Sequence, residues 1–160
     1  MKRDLSIPIL ISLKKALGLW PSAFLLEENA VKKVYLYVSR NGEIPFLRFL
    51  DVMEPKMRTK LVQGIRNLAS ISAYMAEPHV KHFSLERYCA LYEYRARLRV
   101  MVRVMFSLDK SGNILVLHPM VKKRDRNTMQ ALEASLKMLA ELEQGAASLL
   151  EYTWEEVVER

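Results

Sequence analysis

The most distinctive side chains of this chain are arginines that recur at every second position of an apolar stretch. Between Leu91 and Phe106 the even positions are mainly apolar, while the odd positions carry most of the charge. The charged members are Glu93, Arg95, Arg97, Arg99 and Arg103. A period of two is typical of β-strands with one buried and one wet face. Arginine binds phosphate oxygens through a planar fork and keeps its charge, so this pattern predicts a strand surface that binds a polyanion.

A second group of cations follows the next predicted strand, Ile114 to Val121. It consists of Lys122, Lys123, Arg124 and Arg126. Four positive groups within five residues repel one another unless an anion binds, so this cluster has the strongest functional case. The predicted nucleic-acid-binding residues are Arg97, Arg99, Lys122, Lys123 and Arg126. Arg97 and Arg99 have a simpler interpretation as decoration of a hairpin.

Histidines and tyrosines are weaker candidates. His118 is a candidate for proton transfer, although its place beside Pro119 at a strand end is more typical of a structural histidine. His79 and His82 share a loop without acidic or cysteine partners at ligand spacing, so no metal site is predicted. Tyr92 and Tyr94 lie on the apolar side of the alternation and are expected in the core. No nucleotide-binding or hydrolase motif is present, and no cofactor is expected.

Composition indicates one globular domain with an uneven charge. The 160 residues are 51% hydrophobic, which is enough for a core without a disulfide or metal. Residues 81–130 carry eleven basic and four acidic groups, whereas residues 131–160 carry two and seven. Cys89 is the single cysteine, which fits a reducing cytoplasm. A basic middle and an acidic end favour a polyanion-binding surface followed by a tail of opposite sign, although ordinary solvated faces would give the same balance.

The elements that must position these groups follow from periodicity and turn signals. A strand over 34–38 ends at Asn41-Gly42, and two helices start near Pro45 and Pro55. The loop 109–113 joins two strands as a hairpin. Asn127 is expected to cap a final helix that ends near Gly145. The element order is therefore β-α-α-β-β-β-α.

Both ends of the chain read as extensions of a domain over 33–145. Residues 1–32 are expected to be helical, because Leu10, Leu13, Leu17 and Trp20 recur at helical spacing. Neither a signal peptide nor a membrane span is predicted there. The acidic extension 146–160 carries Tyr152 and Trp154, so we expect it to dock on the body of the protein or on a second copy. It would either pack at the domain edge as a short helix or cover the arginine face.

Four segments resemble the RelE/ParE superfamily of bacterial toxins, in particular its HigB-like, phage-derived branch. They are the runs over 42–51, 91–95, 102–106 and 117–123, and the similarity covers about residues 33–143. The resemblance implies an α+β fold with a small twisted antiparallel sheet of about four strands and helices packed on one face. It also implies a toxin that cleaves mRNA in the ribosomal A site and is neutralised by a co-transcribed antitoxin, with the helix-turn-helix type expected.

The resemblance also implies which residues act. Arg103 matches the arginine of the family's middle strand, and Arg124 the arginine after its last strand. Arg95 matches the arginine that ends the second-strand phrase. With His118, these are the predicted catalytic residues. We expect Arg103 and Arg124 to be exposed, so that alanine at either position leaves the protein folded.

Three function classes remain open on the sequence alone. The first is a cytoplasmic, ribosome-dependent mRNA endoribonuclease whose partners are an antitoxin, the ribosome and mRNA, with no membrane partner. The second is a ParE-like toxin that inhibits DNA gyrase. The third is an inactive basic nucleic-acid-binding module. In each case the terminal extensions offer a route to a homo-oligomer.

Overall fold

The structure is a computed structural model that describes residues 31–154; the helix expected over 1–32 and the end of the acidic tail lie almost wholly outside that range. The strands within it are β1 (Val34–Val38), β2 (Val80–His82), β3 (Tyr92–Arg97), β4 (Met101–Leu108), β5 (Ile114–Val121) and β6 (Ser148–Glu151). The helices are α1 (Pro45–Asp51), α2 (Pro55–Ser70) and α3 (Asp125–Glu143). Short 3-10 helices cover Ser72–Met75 and Glu86–Tyr88.

The strands form one mixed sheet in the order β2-β3-β4-β5-β1-β6. β1 runs parallel to β5, and the other neighbouring pairs are antiparallel. The α+β class is confirmed, but the expected antiparallel sheet of about four strands matches the mixed six-stranded sheet only roughly. Parallel neighbours need a long connection, which α1, α2 and strands β2 to β4 supply here. The edge strands β2 and β6 are absent from the prediction because three and four residues are too few to show a clear period of two.

Helices cover both faces of the sheet, which corrects the expectation that they pack on one face. α1 and α2 bury one face in a core that includes Phe46 and Val104. α3 covers the other face, where Leu132 packs in a second core with Met105 and Leu117. Val104 and Met105 are neighbours on β4 and therefore point to opposite faces. The alternation in the sequence predicts an apolar face on one side of the sheet only. It does not reveal the second core, because that core occupies only one end of the opposite face.

Proline and arginine define the junction between α1 and α2. Pro45 and Pro55 stand in the first turns of these helices, as predicted, where a missing N–H removes no intrahelical bond. The guanidinium of Arg58 donates to the carbonyl oxygens of Leu50 (2.9 Å) and Met53 (3.2 Å). These bonds satisfy carbonyl groups at the end of α1 and fix α2 against it.

The final helix begins earlier than the sequence indicates. α3 starts at Asp125, so Asn127 is at its third position and is not the residue that precedes it. The Asn127 side-chain oxygen accepts hydrogen bonds from the backbone N–H groups of Lys123 (3.0 Å) and Arg124 (2.8 Å). The predicted end near Gly145 is confirmed, and this glycine has a φ of +73° that favours the absence of a side chain.

The predicted hairpin between β4 and β5 is confirmed. The carboxylate of Asp109 accepts hydrogen bonds from the backbone N–H groups of Ser111 (2.9 Å) and Asn113 (2.8 Å). These bonds lower the pKa of Asp109 despite the opposing effect of burial. Gly112 has a φ of +81°, so the turn needs a residue that tolerates the left-handed region. The loop therefore fixes one end of the β4–β5 pair.

The described part of the acidic tail docks on the body of the protein, as predicted, but as a strand. β6 pairs with β1, and the Tyr152 ring lies edge-on to Phe46 with centroids 6.3 Å apart. Trp154 packs beside Tyr152 with centroids 4.9 Å apart. Strands β5 and β1 separate β6 from the arginine-bearing strands β3 and β4. For residues 148–154 the edge-packing interpretation is therefore right, and cover of the arginine face is wrong.

Candidate functional site

Strand register places the predicted cations of neighbouring strands on one face of the sheet. Arg95 of β3 lies directly opposite Arg103 of β4, and Arg97 lies opposite Met101. The carbonyl oxygen of Met101 accepts a hydrogen bond from the backbone N–H of Lys122 (2.7 Å), which places Lys122 beside the same end of β4. Residues opposite one another in a sheet share a face. We call Arg95, Arg97, Arg103 and Lys122 the basic face; it lies on the α3 side of the sheet.

A buried carboxylate holds two of these arginines. Glu93 is only 2% exposed, and one of its oxygens accepts a hydrogen bond from Nε of Arg95 (2.9 Å). Nε of Arg103 lies 3.6 Å from the same oxygen. Arg103 also donates to the carbonyl oxygen of Val102 (3.1 Å). Two guanidinium groups thus share one carboxylate, and the cluster keeps one net positive charge.

Arg103 is more buried than the sequence suggests. Its side chain is 12% exposed, so the expectation that it is a surface residue is wrong. Burial lowers the pKa of Arg103, and the charge of Arg95 lowers it further against the opposing effect of Glu93. The guanidinium still keeps its proton at neutral pH, since arginine is not deprotonated in proteins. Arg103 therefore presents a permanent charge of fixed position.

The cluster after β5 lies at the N-terminus of α3. We call Lys123, Arg124 and Arg126 the basic turn; all three are exposed, and Arg124 directly precedes the helix. The Asn127 side-chain oxygen binds the backbone N–H groups of Lys123 and Arg124, so these two groups are not available to an anion, whereas the side chains of the basic turn are. Lys122 lies nearer to the sheet, with Nζ 3.6 Å from an Asp125 oxygen. The basic turn is therefore the solvent-facing part of the predicted site.

Two of the predicted site residues, Arg99 and His118, belong neither to the basic face nor to the basic turn. Arg99 lies in the loop between β3 and β4, and its guanidinium is 3.8 Å from a Glu54 oxygen of the α2 side. His118 lies on β5 at an irregularity where it and Leu117 stand between the pairs that flank Met105. Within residues 31–154 no hydrogen bond or ion pair links His118 to the arginines. Burial lowers the pKa of His118, so its imidazole is neutral at pH 7.

Glu93 is the site residue whose role the sequence does not predict. Its separation of two from Arg95 on one strand is a usable signal, because side chains at i and i+2 share a face. The contact with Arg103 needs the register between β3 and β4, which one sequence does not supply.

The tyrosine prediction is confirmed for Tyr94, which is 6% exposed, and Tyr92 is half-buried and stacked on Phe106.

Residues 31–154 were also compared with the requirements of a metal site and of a membrane-spanning helix. No group of three or more His, Cys, Asp or Glu side chains in this part of the chain is placed to hold a metal ion. None of its helices has the length and apolar character needed to span a bilayer. No protein-family model matches the chain, and no curated protein matches it significantly.

Proposed function

We propose that this chain is a RelE/ParE-type toxin of the HigB-like kind that cleaves mRNA on the ribosome and so inhibits translation. The observation that carries this proposal is the pairing of a rigid and an exposed set of cations. Arg95 and Arg103 are fixed by buried Glu93, and the exposed basic turn stands at the same end of the β3–β5 surface. A surface of this kind can hold a phosphate of the RNA backbone while the rest of the RNA strand stays accessible.

The chemistry that this surface would support is attack of an RNA 2′-oxygen on the adjacent phosphorus. A new 2′-oxygen–phosphorus bond forms, the bond to the 5′-oxygen breaks, the attacking hydroxyl loses a proton and the leaving oxygen gains one. Negative charge develops on the phosphate oxygens during this step. One preorganised donor to such charge contributes about 10²–10³ in rate. Arg103 suits this role because its position is fixed before the substrate arrives, and Arg124 suits substrate capture.

Proton transfer is the part that this chain supplies least well. Glu93 is already engaged by Arg95 and Arg103. Neutral His118 has the right protonation state for a base, but it makes no described contact with the basic face. A positioned proton-transfer group contributes about 10²–10⁴ in rate. Imposed substrate geometry can replace such a contribution, which is why we assign the orientation of the mRNA to the ribosome.

The partners follow from this proposal. Action on translating ribosomes would take place in the cytoplasm. A protein that neutralises the toxin would have to cover or displace the cations of the basic face and basic turn, for which an acidic segment is best suited. A co-transcribed antitoxin of the helix-turn-helix type is the partner that the RelE/ParE resemblance implies.

Controlled expression in bacteria tests the proposal. Wild-type protein should stop translation and generate new mRNA 5′ ends inside coding regions, and the double variant Arg103→Ala/Arg124→Ala should do neither. Lys110→Ala controls for the loss of an exposed positive charge, since Lys110 is exposed in the hairpin loop at the far end of β4. Growth arrest with DNA damage and intact mRNA would instead favour a gyrase inhibitor. No effect of the folded wild-type protein would favour an inactive binding module.

A further inference from the structure

A cleft opens at the β3 edge of the sheet, between that edge and α2, where the short strand β2 ends. Its volume is about 490 Å³, which is within the range of small-ligand sites. β2 pairs with Tyr92, Glu93 and Tyr94 only, so the end of β3 is uncovered on this side. Its lining residues include Lys60, Gln63, Asn67, Tyr74, His79 and Arg97.

One wall of the cleft is a stacked pair of rings. Tyr74 and His79 lie with their centroids 4.1 Å apart and their planes 12° from parallel. Tyr94 also lines the cleft, and it lies against α2 where Gly64 has no side chain. A Cβ at position 64 would stand 1.9 Å from the Tyr94 hydroxyl oxygen. Glycine within a helix costs about 1 kcal/mol relative to alanine, so its use here keeps space for the Tyr94 ring.

The remaining lining groups are amides and cations. The Gln63 amide donates to the Asn67 side-chain oxygen (2.9 Å), one turn along the exposed side of α2. Lys60, Arg95 and Arg97 supply positive charge, and none of the described residues that line this cleft carries a carboxylate. Arg95 and Arg97 also belong to the basic face, so the cleft and the basic face adjoin at β3. The cleft thus combines a ring stack, amides and cations.

We propose that this cleft binds one nucleotide unit, with its base against the Tyr74–His79 pair and its phosphate near Lys60 and Arg97. Stacking on aromatic rings and hydrogen bonds to amides are how unpaired bases are held in proteins. The inference deepens the proposed function and rests on it, because the cleft would hold a nucleotide next to the one cut at the basic face. An acidic peptide fits less well, since aromatic rings and amides outnumber aliphatic side chains among the described lining residues, of which Pro78 is the aliphatic one.

Binding of a 2′-O-methyl RNA hexamer to the full chain tests the inference, since that RNA resists cleavage by 2′-attack. Tyr74→Leu removes the ring and should weaken binding about tenfold, whereas Tyr74→Phe keeps it and should bind as the wild type does. Unfolding curves of both variants check that the fold is kept. Equal affinity of wild type, Tyr74→Leu and Tyr74→Phe would overturn the inference. So would binding of an acidic peptide at this site in place of RNA.

Two further experiments complete the test. One distinguishes a free nucleotide from RNA as the ligand, and the other distinguishes failure of the cleft proposal from failure of the nuclease proposal. If adenosine 5′-monophosphate binds as tightly as the hexamer and shows the same Tyr74 dependence, the cleft takes free nucleotides; tighter binding of the hexamer assigns it to RNA. Arg124→Ala should weaken hexamer binding while the Tyr74→Leu effect persists. Absence of mRNA cleavage with an intact Tyr74 effect would refute the proposed nuclease and leave the cleft as a nucleotide site.

Discussion

The two ends of the α3-facing side of the sheet differ sharply although the same strands form both. At one end Met105 and Leu117 of the sheet pack with Leu132 of α3, and all three are 2% exposed or less. At the other end Arg95 and Arg103 lie on the same face beside the basic turn, with side chains that are 31% and 12% exposed. Strand alternation treats both ends alike, so the coverage by α3 decides which end becomes core. The basic turn starts α3 and also carries the exposed cations. It therefore lies at the boundary between the packed core and the candidate site.

The packed end should carry the stability. Leu117→Ala removes a fully buried side chain from the α3 core and should lower the free energy of unfolding by about 2–5 kcal/mol. Urea unfolding followed by circular dichroism measures this loss. Leu149→Ala is the matched control, because Leu149 is 42% exposed on β6 and its loss should change stability by under about 0.5 kcal/mol. Similar values for the two variants would remove the contrast between the packed and the open end.

The open end should depend on one internal carboxylate. Glu93→Gln leaves Arg95 and Arg103 side by side without a counter-charge. Breaking a buried ion pair costs about 3–5 kcal/mol, and we expect about 2–3 kcal/mol here, because Arg95 is 31% exposed and water can partly replace Glu93. Glu43→Gln removes an exposed pair with Arg48 and should cost at most about 1 kcal/mol. If the cost of Glu93→Gln in urea unfolding does not exceed that of Glu43→Gln, Glu93 does not hold the arginines.

The pH dependence of stability should report the half-buried imidazole of β5. Burial lowers the pKa of His118 below its ordinary value of 6.5, so the unfolded chain binds the proton more readily than the folded protein. Stability should therefore fall as the pH drops below about 6.5, until the folded pKa is passed. His118→Gln should remove this component of the pH profile. An unchanged slope in the variant would show that other groups cause it.

The sequence predicts local structure better than assembly. Alternation and turn signals suffice for β1, the β4–β5 hairpin and the prolines that begin α1 and α2, because each depends on a few adjacent residues. The parallel pairing of β1 with β5 and the placement of α3 on the second face depend on contacts between distant segments. The alternation of arginines is a local pattern, so it predicts the arginine face. The Glu93–Arg103 contact depends on the register of β3, and the Tyr74–His79 stack depends on the course of the loop before β2, so the sequence predicts neither.

The smallest effect on stability should accompany a large effect on function at the basic turn. Arg124 is exposed, and its hydrogen bonds with Asn127 use the backbone N–H and the backbone carbonyl of Arg124, which alanine keeps. Arg124→Ala should therefore change the free energy of unfolding by under about 0.5 kcal/mol. Unfolding curves of Arg124→Ala and Lys110→Ala provide the check. A loss above 1 kcal/mol for Arg124→Ala alone would show that this arginine has a structural role.

Mapping of mRNA 5′ ends in a cell-free translation reaction shows whether the open cationic end of the sheet cuts mRNA on the ribosome. Wild type, Arg124→Ala and Lys110→Ala are compared at equal concentration, each with and without ribosomes. Wild type and Lys110→Ala should cut within coding regions only when ribosomes are present, and Arg124→Ala should lose at least about tenfold in cleavage, because one cation that captures the RNA backbone is gone. Equal cleavage by all three proteins, or rapid cleavage of free RNA, would contradict the proposed function.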